Sequence, residues 1–355
     1  MTVRLLRNNI ILTLLRKIQS FVLFAAIVLI FQSNVYAQLI PNLGGQRAGI
    51  SSFQFLKIGV GARGSAMGES FIAVVNDASA LYWNPAGIAH IPSNQVIVSH
   101  AEWLVDIQHE FLGGVYQLSS ADAFGLSFTS LHLDDMEQTT ETQPFGTGRY
   151  FTFGDIAVAG TYARRMTEQF SFGFTIRYVE ETLDILKMRN VLVDLGTLYH
   201  TGIGTSRFAV VVSNFGGNST PTGSIAVLGG KTYSDTSFQS FSPPTLFKVG
   251  FAMEPYQTDE QRVTTSLQLN HPNDNAENLR FGIEYEWNKT LFLRGGIKRT
   301  FGQELFGEDE TSAESFTLGV GFFIPIDFAN VNVDYSYAHF QKLDSAHRIS
   351  LSISE

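Results

Sequence analysis

Phe170-Ser171-Phe172-Gly173-Phe174-Thr175-Ile176-Arg177-Tyr178 alternates without a break between large apolar and small or polar side chains. Successive side chains of an extended strand point to opposite faces, so one face here is aromatic and aliphatic while the other carries Ser, Gly, Thr and Arg. A soluble β-sandwich would turn the apolar face inward and cover its outside with polar groups, which a glycine-rich opposite face does not do. A strand crossing a membrane within a barrel fits better: apolar residues meet lipid, and small or charged ones line a lumen.

The same period recurs at Phe124-Leu126-Phe128, Ile156-Val158-Tyr162, Val191-Val193-Leu195-Tyr199, Phe208-Val210-Val212 and Phe247-Val249-Phe251-Met253. It continues through Val263-Leu267-Leu269, Leu279-Phe281-Ile283-Tyr285-Trp287, Leu291-Leu293-Ile297, Phe316-Leu318-Val320-Phe322, Val331-Val333-Tyr335-Tyr337 and Ile349-Leu351-Ile353. With two less regular segments near 94–103 and 109–118, the pattern predicts an all-β, antiparallel transmembrane barrel of about 14 strands, an even number as such barrels require. The connections sort by parity. Ser119–Ala121, Thr167–Gln169, Thr201–Ser206, Pro255–Glu260, Asn288–Thr290 and Pro325–Ala329 are short, and the alternate set holds the long ones: Leu133–Thr152, Glu181–Arg189, Phe215–Pro244 and Arg299–Glu314. A barrel with both termini in the periplasm alternates short inner turns with longer outer loops in this way.

Parity also assigns an inside. If the apolar set faces lipid, then Arg177, Asp194, His200, Lys248, Arg280, Glu284, Arg294, Lys298, Asp334 and Arg348 face the lumen. A tight turn at Asn288-Lys289-Thr290 sets Glu284 opposite Arg294, so exchanging the two charges is expected to restore what either single reversal loses. Tyr162, Tyr178, Tyr199, Tyr285, Trp287, Tyr335 and Tyr337 fall on the outer face near strand ends, where an interfacial girdle places aromatics.

Upstream, Arg4, Arg7, Arg16 and Lys17 precede an apolar run from Phe21 to Phe31 and a small-residue site at Val35-Tyr36-Ala37. The run is too short to span a bilayer and reads as a secretory signal, with cleavage expected after Ala37. Three regions follow: residues 1–37 as signal peptide, 38–92 as an N-terminal plug segment and 93–355 as the barrel. The signal carries four basic and no acidic residues, so the remainder holds 20 basic against 33 acidic, a net charge of −13 that excludes nucleic acid as a partner. An exported chain without cysteine has no disulfide and no thiolate metal site.

Residues 53–92 break the two-residue period and are rich in small side chains. Gly59, Gly61 and Gly64 formally match the dinucleotide motif G-x-G-x-x-G, but no strand–helix alternation surrounds them, so a compact plug of short helices and turns is the better reading. Asn76 or Asp77 is expected to cap a short helix that Asn84-Pro85 stops. Arg63, Met67, Asp77, Tyr82, Trp83, Asn84 and Pro85 are the candidate plug or gate residues, with Tyr82 and Trp83 either packing anchors or a gate. The eight histidines are scattered, and H-E-x-x-H and G-x-S-x-G are both absent, so no catalytic group, metal site or cofactor is expected.

Gly61-Ala62-Arg63-Gly64-Ser65-Ala66-Met67-Gly68 and Asp77-Ala78-Ser79-Ala80-Leu81-Tyr82-Trp83-Asn84-Pro85-Ala86-Gly87 resemble the N-terminal signature of the PorV/PorQ family, within the FadL-like outer-membrane barrels. His271-Pro272-Asn273-Asp274-Asn275-Ala276-Glu277, Arg280-Phe281-Gly282-Ile283-Glu284-Tyr285 and Leu293-Arg294-Gly295-Gly296 are similar to its later strands. The resemblance implies a bacterial outer-membrane component of the type IX secretion system that binds the C-terminal signal of exported cargo and passes it to an attachment complex. Its implied partners are outer-membrane lipid, cargo proteins and other secretion-system subunits, with Leu133–Thr152 and Phe215–Pro244 as contacting loops. The alternative is a FadL-like channel for hydrophobic compounds; a lateral opening with a continuous apolar path would favour it.

Overall fold

The computed structural model describes residues 49–227, 231–233, 238–300, 314–340 and 345–355. The predicted signal peptide, the start of the plug segment and most of the Arg299–Glu314 connection lie outside the described residues. The remainder forms a closed antiparallel barrel of 14 strands. These are β1 (Gln95–Glu102), β2 (Gln108–Gln117), β3 (Asp122–His132), β4 (Phe153–Arg165), β5 (Phe170–Leu183), β6 (Leu186–His200) and β7 (Arg207–Phe215). The second half comprises β8 (Leu246–Gln257), β9 (Gln261–Pro272), β10 (Asn278–Trp287), β11 (Leu291–Thr300), β12 (Glu314–Ile326), β13 (Ala329–Phe340) and β14 (Ala346–Ser354). Each strand pairs with its sequence neighbours, and β1 closes the ring on β14 from Gln95↔Ser354 to Glu102↔His347. Closure leaves no unpaired edge, the condition for a sheet in hydrocarbon.

The alternation that predicted the strands sets their faces. Along β5, Ser171, Gly173, Thr175 and Arg177 are buried, while Phe172, Ile176 and Tyr178 are exposed on the outside. The exposed set continues around the barrel through Leu126, Phe128, Val210, Phe247, Leu267, Phe281, Leu318 and Leu351. Such a continuous apolar outer surface is stable against lipid and not against water.

One connection departs from the expected lengths. Glu181–Arg189 is no loop: β5 runs on to Leu183, β6 begins at Leu186, and only Asp184 and Ile185 turn the chain, with Asp184 in the left-handed region (φ 53°). Glu180 carries this extension by accepting from Lys187 at 2.8 Å and from Arg189 at 2.7 Å across the hairpin. Two long connections on the same end hold small hairpins of their own, Met136–Glu137 with Tyr150–Phe151 and Ile225–Val227 with Lys231–Tyr233. We call this the loop end, and the end holding Gln95 and Ser354 the turn end.

Inside lies the plug: a 3-10 turn (Gln54–Lys57), helix α1 (Ala62–Ala66), helix α2 (Ala80–Trp83) and a second 3-10 stretch (Pro85–His90). The N-cap of α2 is Ser79, displaced from the expected Asn76 or Asp77. Asp77 instead turns back on the chain, its Oδ1 accepting from the Ser79 amide at 2.9 Å. Asn84 ends α2 and starts the next stretch, its Oδ1 accepting from the Ala86 amide at 3.0 Å with Pro85 at the first helical position. Phe71, Ile72, Leu81, Trp83 and Ile88 pack with wall residues Ile97, Phe111, Leu198 and Val211 into one core inside the barrel.

Candidate functional site

The wall is shaped to the plug backbone. At Gly296 of β11 an added Cβ would lie 2.0 Å from the Gly68 nitrogen, and at Gly173 of β5 it would lie 2.5 Å from the Pro85 carbonyl carbon. Side chains then tie plug to wall around the ring. Ser350 of β14 accepts from the Ala62 amide at 3.1 Å, and Thr317 of β12 accepts from Gly68 at 2.9 Å and donates to the Ala66 carbonyl at 2.8 Å. Gln268 of β9 accepts from the Phe71 and Ile72 amides at 3.0 and 3.2 Å. Arg207 of β7 donates to the Ala73 carbonyl at 2.6 Å, Gln117 of β2 to Ile88 at 2.9 Å, and Gln95 of β1 accepts from Ala78 at 2.5 Å. Backbone groups of an irregular segment need such partners when buried.

The glycines of the formal dinucleotide motif have another use here. A Cβ at Gly64 would fall 2.7 Å from the Trp83 indole nitrogen, and one at Gly59 2.6 Å from a Glu69 carboxylate oxygen. They clear space for Trp83, which is buried and donates from Nε1 to the Val60 carbonyl at 2.9 Å. Tyr82 packs edge-on against it and donates to the Leu56 carbonyl at 3.1 Å. Asn84 donates to the Ile72 and Thr197 carbonyls at 2.9 and 3.1 Å; Met67 is fully buried.

Most of the charges that parity assigns to the lumen fall into three groups. In the first, Glu284 and Arg294 are register partners joined at 2.7 Å. Arg63 of the plug grips the same carboxylate at 2.8 and 2.9 Å and Asp77 at 2.8 Å, and Arg294 reaches Asp334 at 2.6 Å. In the second, Arg177 donates to Asp194 at 2.7 Å and to Asn214 at 2.6 Å, and Asn214, in the left-handed region (φ 59°), donates its amide to Asp194. In the third, Arg280 holds Glu69, and Lys248 lies 5.8 Å from the Tyr82 ring centroid. Lys57, Lys248, Arg280 and Lys298 line a small polar pocket of about 120 Å³ beside Glu69. Burial would raise the Glu69 carboxyl, but Arg280 and the neighbouring lysines outweigh it and hold the group below the usual carboxylate range. His200 lies at the turn end, its ring 5.1 Å from that of His90, which shares a 2.6 Å hydrogen bond with Ser171. Burial, then His200, Arg165 and Arg207, push the His90 imidazole down to about 4.

Cavities lie on both sides of the plug. The loop-end cavity has a volume of about 540 Å³ and is lined by Phe55, Trp103, Ile107, Leu131, Phe153 and Phe340, with Lys57, Glu69, Asp155, Glu181 and Lys298 at its edges. Two turn-end cavities of about 360 and 180 Å³ meet at Arg63, Asn76 and Arg262. Among the described residues, none lines cavities at both ends. Among the described residues, no group of three or more His, Asp or Glu is placed to hold a metal ion. Of the loop-end lining, Lys298 is the residue that the alternation assigns to the lumen. Asp155 was within reach, since it shares the inward parity of Ala157 and Ala159; Trp103 and Phe340 sit where the alternation ends.

A family model described as Type IX secretion system protein PorV matches residues 43–272. No curated protein sequence matches the chain. Among solved structures, the P. putida toluene transporter TodX is similar with a TM-score of 0.57 and 14% identity, covering 84% of this chain and 98% of that one. The CymD monoaromatic hydrocarbon channel gives 0.56 and 14% over 83% and 96%, and a Pseudomonas aeruginosa FadL homologue 0.54 and 13% over 83% and 97%. At such identities the likeness is one of fold.

Proposed function

We propose that this chain, which belongs to the family of the type IX secretion system protein PorV, is a non-enzymatic outer-membrane barrel whose loop end receives exported proteins. The observation that carries this reading is the plug, bonded to strands all round the barrel and separating cavities that share no lining residue among those described. A lumen so filled is suited to holding a partner at its mouth rather than to passing one through. Arg63, held by Asp77, acts as a latch on Glu284, and Met67, Tyr82, Trp83, Asn84 and Pro85 act as anchors rather than a gate. The long connections Leu133–Thr152 and Phe215–Pro244 supply the contacting surface.

The test is crosslinking in intact outer membranes followed by recovery of the barrel. Exported proteins sharing one C-terminal domain, captured through positions in those two connections, support the reading; recovery of lipid or small hydrophobic molecules with no protein partner sinks it. That second outcome belongs to an uptake channel for hydrophobic compounds, a reading favoured by the apolar loop-end cavity. It requires the plug to move, so fixing the plug to the wall with an engineered disulfide would abolish uptake and leave cargo capture intact.

A further inference from the structure

We propose that the loop-end cavity binds an organic cation, an ammonium group carried on an apolar body, with Asp155 and Glu181 as its counter-ions. The two carboxylates stand directly opposite each other in the β4–β5 ladder, and both line the cavity. Asp155 is 3% exposed, and its Oδ1 has no hydrogen-bond partner among the described residues. Glu181 is half committed, one oxygen accepting from the Phe53 amide at 2.8 Å. Two facing carboxylates in an apolar wall repel each other and lack solvation, and a bound cation relieves both costs at once.

The rest of the lining suits the same ligand. Phe55, Trp103, Phe153 and Phe340 line the space, with Arg348 already seated over one face of the Trp103 ring, and aromatic rings suit a cation as well as an apolar body. The cavity is also polarised. Lys298 on β11 lines the side half-way round the barrel from β4, beside Glu69, so the cationic side chains of the lining stand away from Asp155. Lys57 is paired with Asp274 at 3.0 Å. The inference goes beyond both functional readings and needs neither, because a cation can bind here without cargo transfer or uptake.

The experiment uses the full-length barrel in nanodiscs of zwitterionic lipid, with empty nanodiscs subtracted. Calorimetric titrations compare 2-phenylethylammonium, 2-phenylethanol and 3-phenylpropanoate, which share one apolar body and differ in charge. The ammonium should bind at least about tenfold more tightly than the other two, the scale of one charge-assisted contact in a desolvated site. Asp155→Asn, which keeps the shape, should remove that advantage and bring the ammonium to the affinity of the alcohol. Where Asp155→Asn does not assemble into a heat-modifiable barrel, Glu181→Gln is read in its place. Equal or tighter binding of the alcohol or the carboxylate, undiminished ammonium binding by the variant, or binding of none of the three overturns the proposal.

Discussion

Glu284 stands directly opposite Arg294 on β10 and β11, and the same carboxylate is gripped by Arg63 of the plug. One acidic side chain therefore neutralises a wall guanidinium and a plug guanidinium. Glu284→Gln leaves both arginines buried with no shared counter-ion, and loss of one member of a buried ion group costs about 3–5 kcal/mol. Urea titration of the heat-modifiable band should show that loss.

The double charge reversal Glu284→Arg with Arg294→Glu should not recover it. Seen as an isolated cross-strand pair, the two residues could be exchanged. Their other contacts forbid this: an arginine at 284 would face Arg63, and a glutamate at 294 would face Asp334, now 2.6 Å from the guanidinium. The double variant should be no more stable than the weaker single one; full recovery in the same titration would mean that Arg63 and Asp334 contribute nothing.

Gly296→Ala should disturb plug seating, since its Cβ would enter the Gly68 backbone, and overpacking of this kind costs roughly 1–3 kcal/mol or more. Gly114→Ala is the control, because a Cβ there meets nothing within 4 Å. Protease digestion from the N-terminal side should release a plug fragment from the first variant and not from the second.

Trp83→Phe should cost about 1–3 kcal/mol by leaving the buried Val60 carbonyl without its donor. Urea unfolding of this variant beside Tyr82→Phe, which strips the Leu56 carbonyl of its donor in the same plug, ranks the two anchors.

Stability should also fall with acid through the plug. The His90 imidazole is held down to about 4 from 6.5, so it is neutral in the fold and protonates more readily once unfolded. The unfolded chain binds the extra proton, and the contribution is present above pH 6.5 and lost as pH falls toward about 4. His90→Gln should flatten the urea midpoint across that window relative to the parent.

The barrel was legible because a period of two needs no knowledge of distant residues: Phe172, Phe174 and Ile176 declare their face within one strand. The plug announced itself by breaking that period. What could not be read locally were the pairings that cross the chain, such as Arg63 with Glu284 or Gln268 with the Phe71 amide. The stretch Glu181–Arg189 reads as a loop because its charged residues interrupt the apolar alternation. Those charges lie across the extended hairpin from one another and zip it beyond the apolar band. Gly59 and Gly64 imitated a nucleotide motif because close packing against an indole and close approach to a phosphate demand the same missing Cβ.

Gly68 against Gly296 and Pro85 against Gly173 bring plug backbone directly onto wall backbone at two places round the ring. The plug precedes β1 in the chain, and its Ala62 amide is bonded to Ser350 on β14, the strand that completes the circle. The N-terminal segment is thus bonded at the seam where the first and last strands meet, so a change at Ser350 should loosen the closure of the ring together with the seating of the plug.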